Sequence, residues 1–137
     1  MLSAIKSALG IKEWPEFTRA EVAAHNTEDS VWLVAGDRVF DVTRFVHLHP
    51  AGPVAILKRA GGCEDCSMDY KFHSKGARQQ WKQCQVGVLK ASEVDAPIPR
   101  NAAPDPAMIT KHQAPINYDG SFYAEKTAAA AAAATGC

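Results

Sequence analysis

The sequence predicts a small domain of the α+β class, because short helix signals and short strand signals alternate along it. Two strands are expected at 31–35 and 38–42, joined by the tight-turn pair Gly36-Asp37. A closing strand is expected at 85–89. Helices that are interspersed with strands in this way are typical of a domain in which helices pack on a small sheet.

The first helix is predicted from a capping box. Segment 14–17 is expected to be extended, and Thr18 stands three residues before Glu21. This spacing lets the Thr18 side chain cap the helix while Glu21 reaches back, so a helix is expected at about 19–25. Residues 26–30 are polar and predict a loop.

Three further helices are expected at 44–48, 53–60 and 75–83. Thr43 and Ser74 are the residue types that cap helix N-termini. Pro53 suits the first helical position, and the pair Gly61-Gly62 suits the left-handed stop. The first part of 63–73 is also predicted to be helical.

Composition limits the class of protein. The chain has 137 residues and a formal net charge of zero, enough for one domain with a core and unlike a general nucleic-acid binder. Four cysteines are too few for a disulfide scaffold, which favours a reducing compartment. No apolar run is long enough to span a bilayer, so no transmembrane anchor is expected.

Three regions are predicted along the chain. Residues 1–13 form an N-terminal extension, for which a docked or frayed helix is favoured over an organelle-targeting helix. Residues 14–90 form the domain. Residues 91–137 are rich in proline and alanine and are expected to be mostly extended or disordered, although the aromatic stretch 116–123 could dock.

Two histidines dominate the predicted chemistry. His49 stands in the run His49-Pro50-Ala51-Gly52, where the proline keeps it out of a helical conformation, and His73 lies twenty-four residues later. Imidazole is a ligand of haem iron, and an apolar crevice buries a porphyrin. Apolar side chains stand before and between the histidines at Phe40, Phe45, Val46, Ile56, Leu57, Met68 and Phe72. Taken alone, such a pair is weak evidence, because ordinary core and surface histidines are common.

Residues 14–90 strongly resemble a cytochrome b5 haem-binding domain. The matching motifs, in order, are Phe17-Thr18, Trp32, Val39-Phe40-Asp41-Val42-Thr43-Arg44-Phe45, His49-Pro50-x-Gly52, Ala60-Gly61-Gly62, His73-Ser74-x-x-Ala77 and Gly87-x-Leu89. The resemblance implies the cytochrome b5-like α+β fold, in which a small mixed sheet and short helices form a haem crevice.

The same resemblance implies roles for individual residues. His49 and His73 would be the axial ligands of haem b, Ser74 would hydrogen-bond a haem propionate, and Phe45 would pack on the ring. Ile56 would be a pocket wall, and Met68, Phe40 and Val46 are further expected cofactor-binding residues.

The sequence also departs from the family pattern. Pro53 and Val54 stand where the family usually has acidic residues, and Lys58 and Arg59 follow them. Partial loss of this acidic rim puts the family's usual basic partners in question.

The resemblance implies a one-electron carrier and not an enzyme. It would accept electrons from an NADH- or NADPH-dependent flavoprotein reductase and pass them to an oxidase, desaturase or reductase. It is expected to be a soluble, cytoplasmic monomer. One alternative is a haem-binding sensor or interaction module whose tail recruits a partner. Another is redox catalysis at the haem, which would require displacement of an axial histidine.

Three local patterns allow competing interpretations. Cys63-x-x-Cys66 matches the spacing of a redox or metal motif, but a chance pair without function is favoured. His47 is a rival ligand, with a rim position favoured. Lys75 and Arg78 could lie near haem propionates, with an ordinary solvated helix face slightly favoured.

Overall fold

The computed structural model describes residue 5 and residues 8–113. Within these ranges the chain forms one five-stranded sheet in the order β1-β5-β4-β3-β2. The strands are β1 (Glu16–Phe17), β2 (Asn26–Thr27), β3 (Ser30–Ala35), β4 (Arg38–Asp41) and β5 (Gln85–Leu89). The α-helices are α1 (Arg19–Ala23), α2 (Val54–Leu57), α3 (Ser67–Phe72), α4 (Lys75–Cys84) and α5 (Pro106–His112). The predicted α+β class is confirmed.

The sheet is mixed because β1 and β5, the first and last strands along the chain, pair in parallel. The predicted hairpin is confirmed: β3 and β4 are antiparallel, with Gly36 at a φ of 66° in the turn between them. The strand β5 lies antiparallel to β4 on one side and parallel to β1 on the other. The segment 14–17 therefore ends in β1, which is an edge strand of the sheet.

Two of the three predicted side-chain caps, Thr18 and Ser74, are present. Thr18 Oγ1 accepts from Glu21 N–H at 3.1 Å, and a Glu21 carboxylate oxygen accepts from Thr18 N–H at 2.7 Å. Ser74 Oγ accepts from Ala77 N–H at 3.2 Å at the start of α4. Because these signals act within one turn of helix, the neighbouring sequence was sufficient to predict them.

Several predicted elements differ from the structure. The helix expected in the first part of 63–73 lies instead in its second part, at Ser67–Phe72. The expected loop 26–30 contains β2, because Asn26 and Thr27 pair with the start of β3. Thr43 caps no helix, since its hydroxyl accepts from Val31 N–H at 2.9 Å and donates to Asp41 at 2.6 Å. The chain makes only a 3₁₀ turn at Thr43–Phe45.

Helix α2 is shorter than predicted. It begins directly after Pro53 but ends at Leu57, and a 3₁₀ turn at Ala60–Gly62 follows. Gly61 and Gly62 adopt φ values of 73° and 68°, the left-handed conformation expected of the stop.

The core lies on both faces of the sheet. Alternate strand residues point to opposite faces, so Leu33 and Phe40 belong to one cluster and Val34 and Val39 to the other. The first cluster also contains Leu57 and Trp81 from the helices. It forms the floor on which the histidine-bearing segments rest.

The segment 91–113, called the C-terminal segment below, is ordered against the domain, so the prediction of a mostly extended tail is wrong there. Asp105 caps α5 by accepting from Ala107 N–H at 2.9 Å, and Pro106 occupies the first turn. The side chains of Met108 and Ile109 pack against the core, and Ala102 is fully buried. Residues 114–137, with the stretch 116–123 and the alanine run, lie outside the described residues.

Side chains of the domain also hold the C-terminal segment. Arg19 donates to Glu93 O at 2.8 Å and to Val94 O at 2.7 Å. Asn26 Nδ2 donates to Asn101 O at 3.0 Å. These partners are separated by more than seventy residues, which is why no local pattern predicted them.

Candidate functional site

A crevice opens between the sheet and helices α2, α3 and α4. Its lining is mostly apolar and includes both candidate histidines. The lining residues are Leu33, Val42, Phe45, His49, Ala55, Ile56, Arg59, Cys66, Asp69, His73, Gln80, Trp81 and Cys84.

His49 reaches the crevice from a turn that precedes α2. Its carbonyl accepts from Gly52 N–H at 2.9 Å, and Gly52 has a φ of 89°, a conformation that favours glycine. The ring is half-buried, and burial together with the nearby His73 lowers the pKa of His49. The Gly52 backbone acts in the opposite direction and raises the pKa of His49. Within the described residues, the buried Nδ1 of His49 has no hydrogen-bond partner. His49 is therefore held neutral with a lone pair available.

His73 is oriented by a hydrogen bond from its own helix. It stands at the end of α3, where the backbone leaves the helix with φ −73° and ψ 152°. Its Nδ1 lies 2.5 Å from Asp69 O, and because a carbonyl only accepts, Nδ1 carries the proton. The Trp81 ring packs edge-on against the imidazole, with centres 5.5 Å apart. Nε2 is thus the nitrogen left with a lone pair, a common arrangement for metal-binding histidine.

The two imidazoles face each other across the crevice. Their ring centres are 6.2 Å apart, with the planes inclined by 54°. A metal between two imidazoles needs two bonds of roughly 2 Å and roughly 1 Å from each nitrogen to its ring centre, or about 6 Å in total. The spacing therefore fits two nitrogen ligands of one metal centre, and the apolar walls fit a porphyrin.

An ion pair crosses one side of the crevice. Arg59 Nε lies 2.7 Å from an Asp69 carboxylate oxygen, joining the segment after α2 to α3. Burial is the largest single influence and opposes the charge on Arg59, but the hydrogen bond to Asp69 and the attraction of nearby negative groups, Asp69 first, together outweigh it and raise the pKa of Arg59. Asp69 thus binds the opposite wall through its side chain and orients His73 through its backbone.

Several predicted site residues lie elsewhere. Phe45 and Ile56 line the crevice, but Phe40 and Val46 are fully buried in the core. The Phe40 ring packs edge-on against Trp81, with ring centres 5.2 Å apart, and does not line the crevice. The side chain of Met68 is 58% exposed and does not line the crevice, so its predicted place in the pocket is corrected.

Ser74 lies beside the crevice and not within it. It lines a shallow cavity with Asp69, Phe72, His73 and Ala77, which shares Asp69 and His73 with the crevice. Its hydroxyl accepts the capping hydrogen bond from Ala77 N–H, so the hydroxyl proton stays available for a ligand.

Part of the crevice wall was not predicted from the sequence. Trp81 and Cys84 share a face of α4 with Ala77, at spacings of four and three residues, and this helical period could have identified them. Arg59 and Asp69 have no such signal, because their contact depends on how two short helices meet.

The competing local patterns have the following positions. His47 is exposed, with its ring centre 5.5 Å from that of His112, and does not line the crevice. Cys63, Cys66 and Cys84 are free thiols. Burial raises the pKa of Cys66 to about 12, which makes it a poor source of thiolate. This supports the prediction that the Cys63-x-x-Cys66 pair has no redox function.

No helix in the described ranges combines the length and apolar character needed to cross a bilayer.

Residues 18–90, more than half of the chain, match the family model described as the cytochrome b5-like heme/steroid binding domain. Cytochrome b5 of Musca domestica is 42% identical over 77 residues, covering 56% of this chain and 58% of the relative. The mitochondrial sulfite oxidase of Homo sapiens is 33% identical over 111 residues, covering 74% of this chain and 20% of that protein.

Among solved structures, the cytochrome b5 of Ostreococcus tauri virus 2 is 29% identical with a TM-score of 0.47, covering 55% of this chain and 96% of that one. The alignments span only 58% of the length of the Musca domestica cytochrome b5 and 61% of that of the Drosophila melanogaster cytochrome b5. Haem b is the cofactor of the matched domain. The chain belongs to the family of cytochrome b5-like haem- and steroid-binding domains.

Proposed function

We propose that this domain is a one-electron carrier in which His49 and His73 are the two axial ligands of haem b. The observation that carries the proposal is the distance of 6.2 Å between the two imidazole centres across an apolar crevice. When bound, haem supplies a one-electron Fe(III)/Fe(II) couple.

The protein contributes by presenting both nitrogens in the correct protonation state. The hydrogen bond from His73 Nδ1 to Asp69 O fixes the ring and leaves Nε2 as the donor atom. The lowered pKa of His49 keeps its ring neutral near pH 7. With both axial positions held by protein, no site is left for a substrate, so the domain is a carrier and not an enzyme.

Apolar side chains exclude water from the cofactor. Phe45 and Ile56 would contact the porphyrin, with Phe40 and Val46 supporting the wall from the core. Ser74, beside His73, would donate its hydroxyl proton to a propionate. Met68 is assigned no contact, because its side chain is exposed outside the crevice.

The proposed partners are a flavoprotein reductase as donor and a redox enzyme as acceptor. The support is the family, whose matches include both a cytochrome b5 and a sulfite oxidase. The alternative of a sensor whose tail recruits a partner loses support for residues 91–113, because they are docked on the domain itself.

Absorption spectra of the haem-loaded protein, oxidised and reduced, test this proposal. We expect low-spin six-coordinate bands and a reversible one-electron titration in the wild type. His49→Ala and His73→Ala should each lose the low-spin bands and bind carbon monoxide, because one axial position is opened. His47→Ala is the matched control and should keep the wild-type spectrum. Unchanged haem affinity and spectra in both ligand variants would refute the assignment.

A further inference from the structure

The residues that flank His73 in the chain include an exposed aromatic residue and three basic residues. Lys71, Phe72, Lys75 and Arg78, called the basic face below, lie at the end of α3 and the start of α4. Phe72 lines the shallow cavity that shares His73 with the crevice. Arg78 Nη1 donates to Lys71 O at 3.5 Å, so its guanidinium lies over the end of α3. The basic face therefore adjoins a candidate axial ligand.

Charge is distributed unevenly in this chain. Residues 42–84 contain every crevice-lining residue except Leu33, and they carry seven Lys and Arg against three Asp and Glu. Their net charge is +4, although the whole chain is neutral, so the remaining residues carry −4. The stretch of chain that supplies nearly all of the crevice lining is thus basic.

All three acidic residues within 42–84 already have charged or hydrogen-bonding partners. Asp69 pairs with Arg59 at 2.7 Å, and Glu64 lies 4.0 Å from the same guanidinium. Asp65 accepts from Gly36 N–H at 2.7 Å and from Ser67 N–H at 3.1 Å. Within residues 8–113, no salt bridge involves Lys71, Lys75 or Arg78. None of these three charges is thus neutralised by an ion pair in this part of the chain, although Asp37 lines a cavity together with Lys71.

Phe72 adds an apolar contact to this charged surface. Its side chain is 82% exposed, whereas phenylalanine is usually at least partly buried. Exposed aromatic residues beside basic ones are typical of protein interfaces, in which the aromatic group anchors and the charges steer. A partner covering Phe72 would sit one residue from His73.

We propose that the basic face is the docking surface for an acidic protein with which the domain exchanges electrons. This inference rests on the proposed function, since it assumes that haem is the redox centre in the crevice. The positive rim attracts the acidic partner, and Phe72 is buried in the complex.

Stopped-flow electron transfer between the haem-loaded protein and two protein probes tests the inference. Flavodoxin hydroquinone serves as an acidic electron donor, and cytochrome c serves as a basic electron acceptor. We expect the rate constant with flavodoxin to fall as ionic strength rises from about 10 mM to about 300 mM, because screening weakens attraction. With cytochrome c the dependence on salt should be absent or reversed.

Charge-reversal variants localise the effect. Lys71→Glu/Lys75→Glu should lower the flavodoxin rate constant about tenfold at low ionic strength, within the range of electrostatic steering. Lys90→Glu, a single charge reversal after β5 and outside the crevice lining, should stay within about twofold. Phe72→Ser should slow the reaction while leaving its dependence on salt unchanged, because it removes contact area and not charge.

The outcomes separate this inference from the proposed function. A redox titration of each variant first establishes whether a reversible one-electron couple exists, and its absence would refute the function. With the couple intact, a flavodoxin rate that ignores or rises with salt would overturn the docking surface. So would equal losses in the Lys90→Glu control. Binding of phosphatidylserine vesicles that depends on the basic face, without any effect on flavodoxin, would likewise overturn it by identifying a lipid surface.

Discussion

Cys66 shows how burial determines the chemistry of one residue. Its side chain is fully buried in the crevice wall, between the sheet and α3. Desolvation disfavours the thiolate and raises the pKa of Cys66 to about 12, from an ordinary value of 9.0. The sequence showed only a cysteine three residues from another, and spacing alone could not distinguish a reactive thiol from a packed one.

Cys66 makes the free energy of unfolding dependent on alkaline pH. Below pH 9 the thiol is protonated in both the folded and unfolded states, so its contribution is constant. Between pH 9 and pH 12 only the unfolded state loses the proton, and stability falls by up to about 1.4 kcal/mol per pH unit. Urea unfolding of the haem-loaded protein at pH 8 and pH 10 should therefore show a loss roughly 1 kcal/mol larger in wild type than in Cys66→Ala. Because the raised pKa values of Cys63 and Cys84 persist in the variant, equal losses would contradict this assignment.

The two histidines were predictable as candidate ligands, but the groups that orient them were not. The motif around His49 and the position of His73 are local sequence features. By contrast, the Asp69 carbonyl is a backbone group, which no side-chain pattern reports. The exposed position of Met68 depends on how α3 is rotated, a property that only packing determines.

At the scale of elements, the crevice depends on short helices that could not be stable alone. Helix α2 has four residues and α3 has six, far below the length at which isolated helices persist. They are held by the core and by the Arg59–Asp69 ion pair, which joins the wall carrying His49 to the wall carrying His73. The caps of α1 and α4 were predictable because they are local, whereas this pairing was not.

Removal of the ion pair should loosen the crevice. Arg59→Gln leaves the partly buried Asp69 carboxylate without its cation, at a cost of about 1 kcal/mol in the free energy of unfolding. We expect haem to dissociate several-fold faster and the reduction potential to fall, because a positive charge that favours Fe(II) is lost. Haem transfer to apomyoglobin and a redox titration measure the two effects.

Lys58→Gln provides the matched control for that variant. Lys58 is the preceding residue, is exposed, and forms no salt bridge within the described residues. It loses the same charge without breaking the link between the walls. If both variants released haem at the same rate, the ion pair would have no structural role.

At the scale of the whole molecule, the C-terminal segment is an integral part of the domain. Its composition indicated a tail, because prolines usually interrupt regular structure. The structure shows why that prediction failed: Asp105-Pro106 starts a helix, and the carbonyl of Ala102 sits close against Gly61. Contacts between residues so distant in the chain leave no periodic pattern in the sequence.

A chain that ends after Lys90 should be less stable than one that ends after Gln113. Truncation exposes the surface covered by Ala102, Met108 and Ile109, which we estimate at roughly 2 kcal/mol. For a domain of this size, that corresponds to a melting temperature lower by about 10 °C. Thermal unfolding of the two haem-loaded proteins, followed by circular dichroism, measures the difference.

Gly61→Ala should reproduce part of this loss within the longer chain. A methyl group there would overlap Ala102 O and meet Asn26, at a φ of 73° that alanine rarely adopts. Gly76→Ala is the control and should raise the stability slightly, because the added methyl group lies in helix α4 and meets nothing within 4 Å.

If the truncated and longer chains melted at the same temperature, the docking of the C-terminal segment would contribute nothing to stability.

The parallel pairing of β1 with β5 has a consequence for how such a domain can be used in longer proteins. Pro15 O accepts from Val88 N–H and Phe17 O accepts from Lys90 N–H, each at 2.9 Å, so the polypeptide arrives and departs at one sheet edge. Neither strand contributes a residue to the crevice lining. Additional polypeptide can therefore be joined before β1 or after β5 without changing the residues that line the crevice. The same fold can therefore stand as a separate domain or be one domain of a larger oxidoreductase.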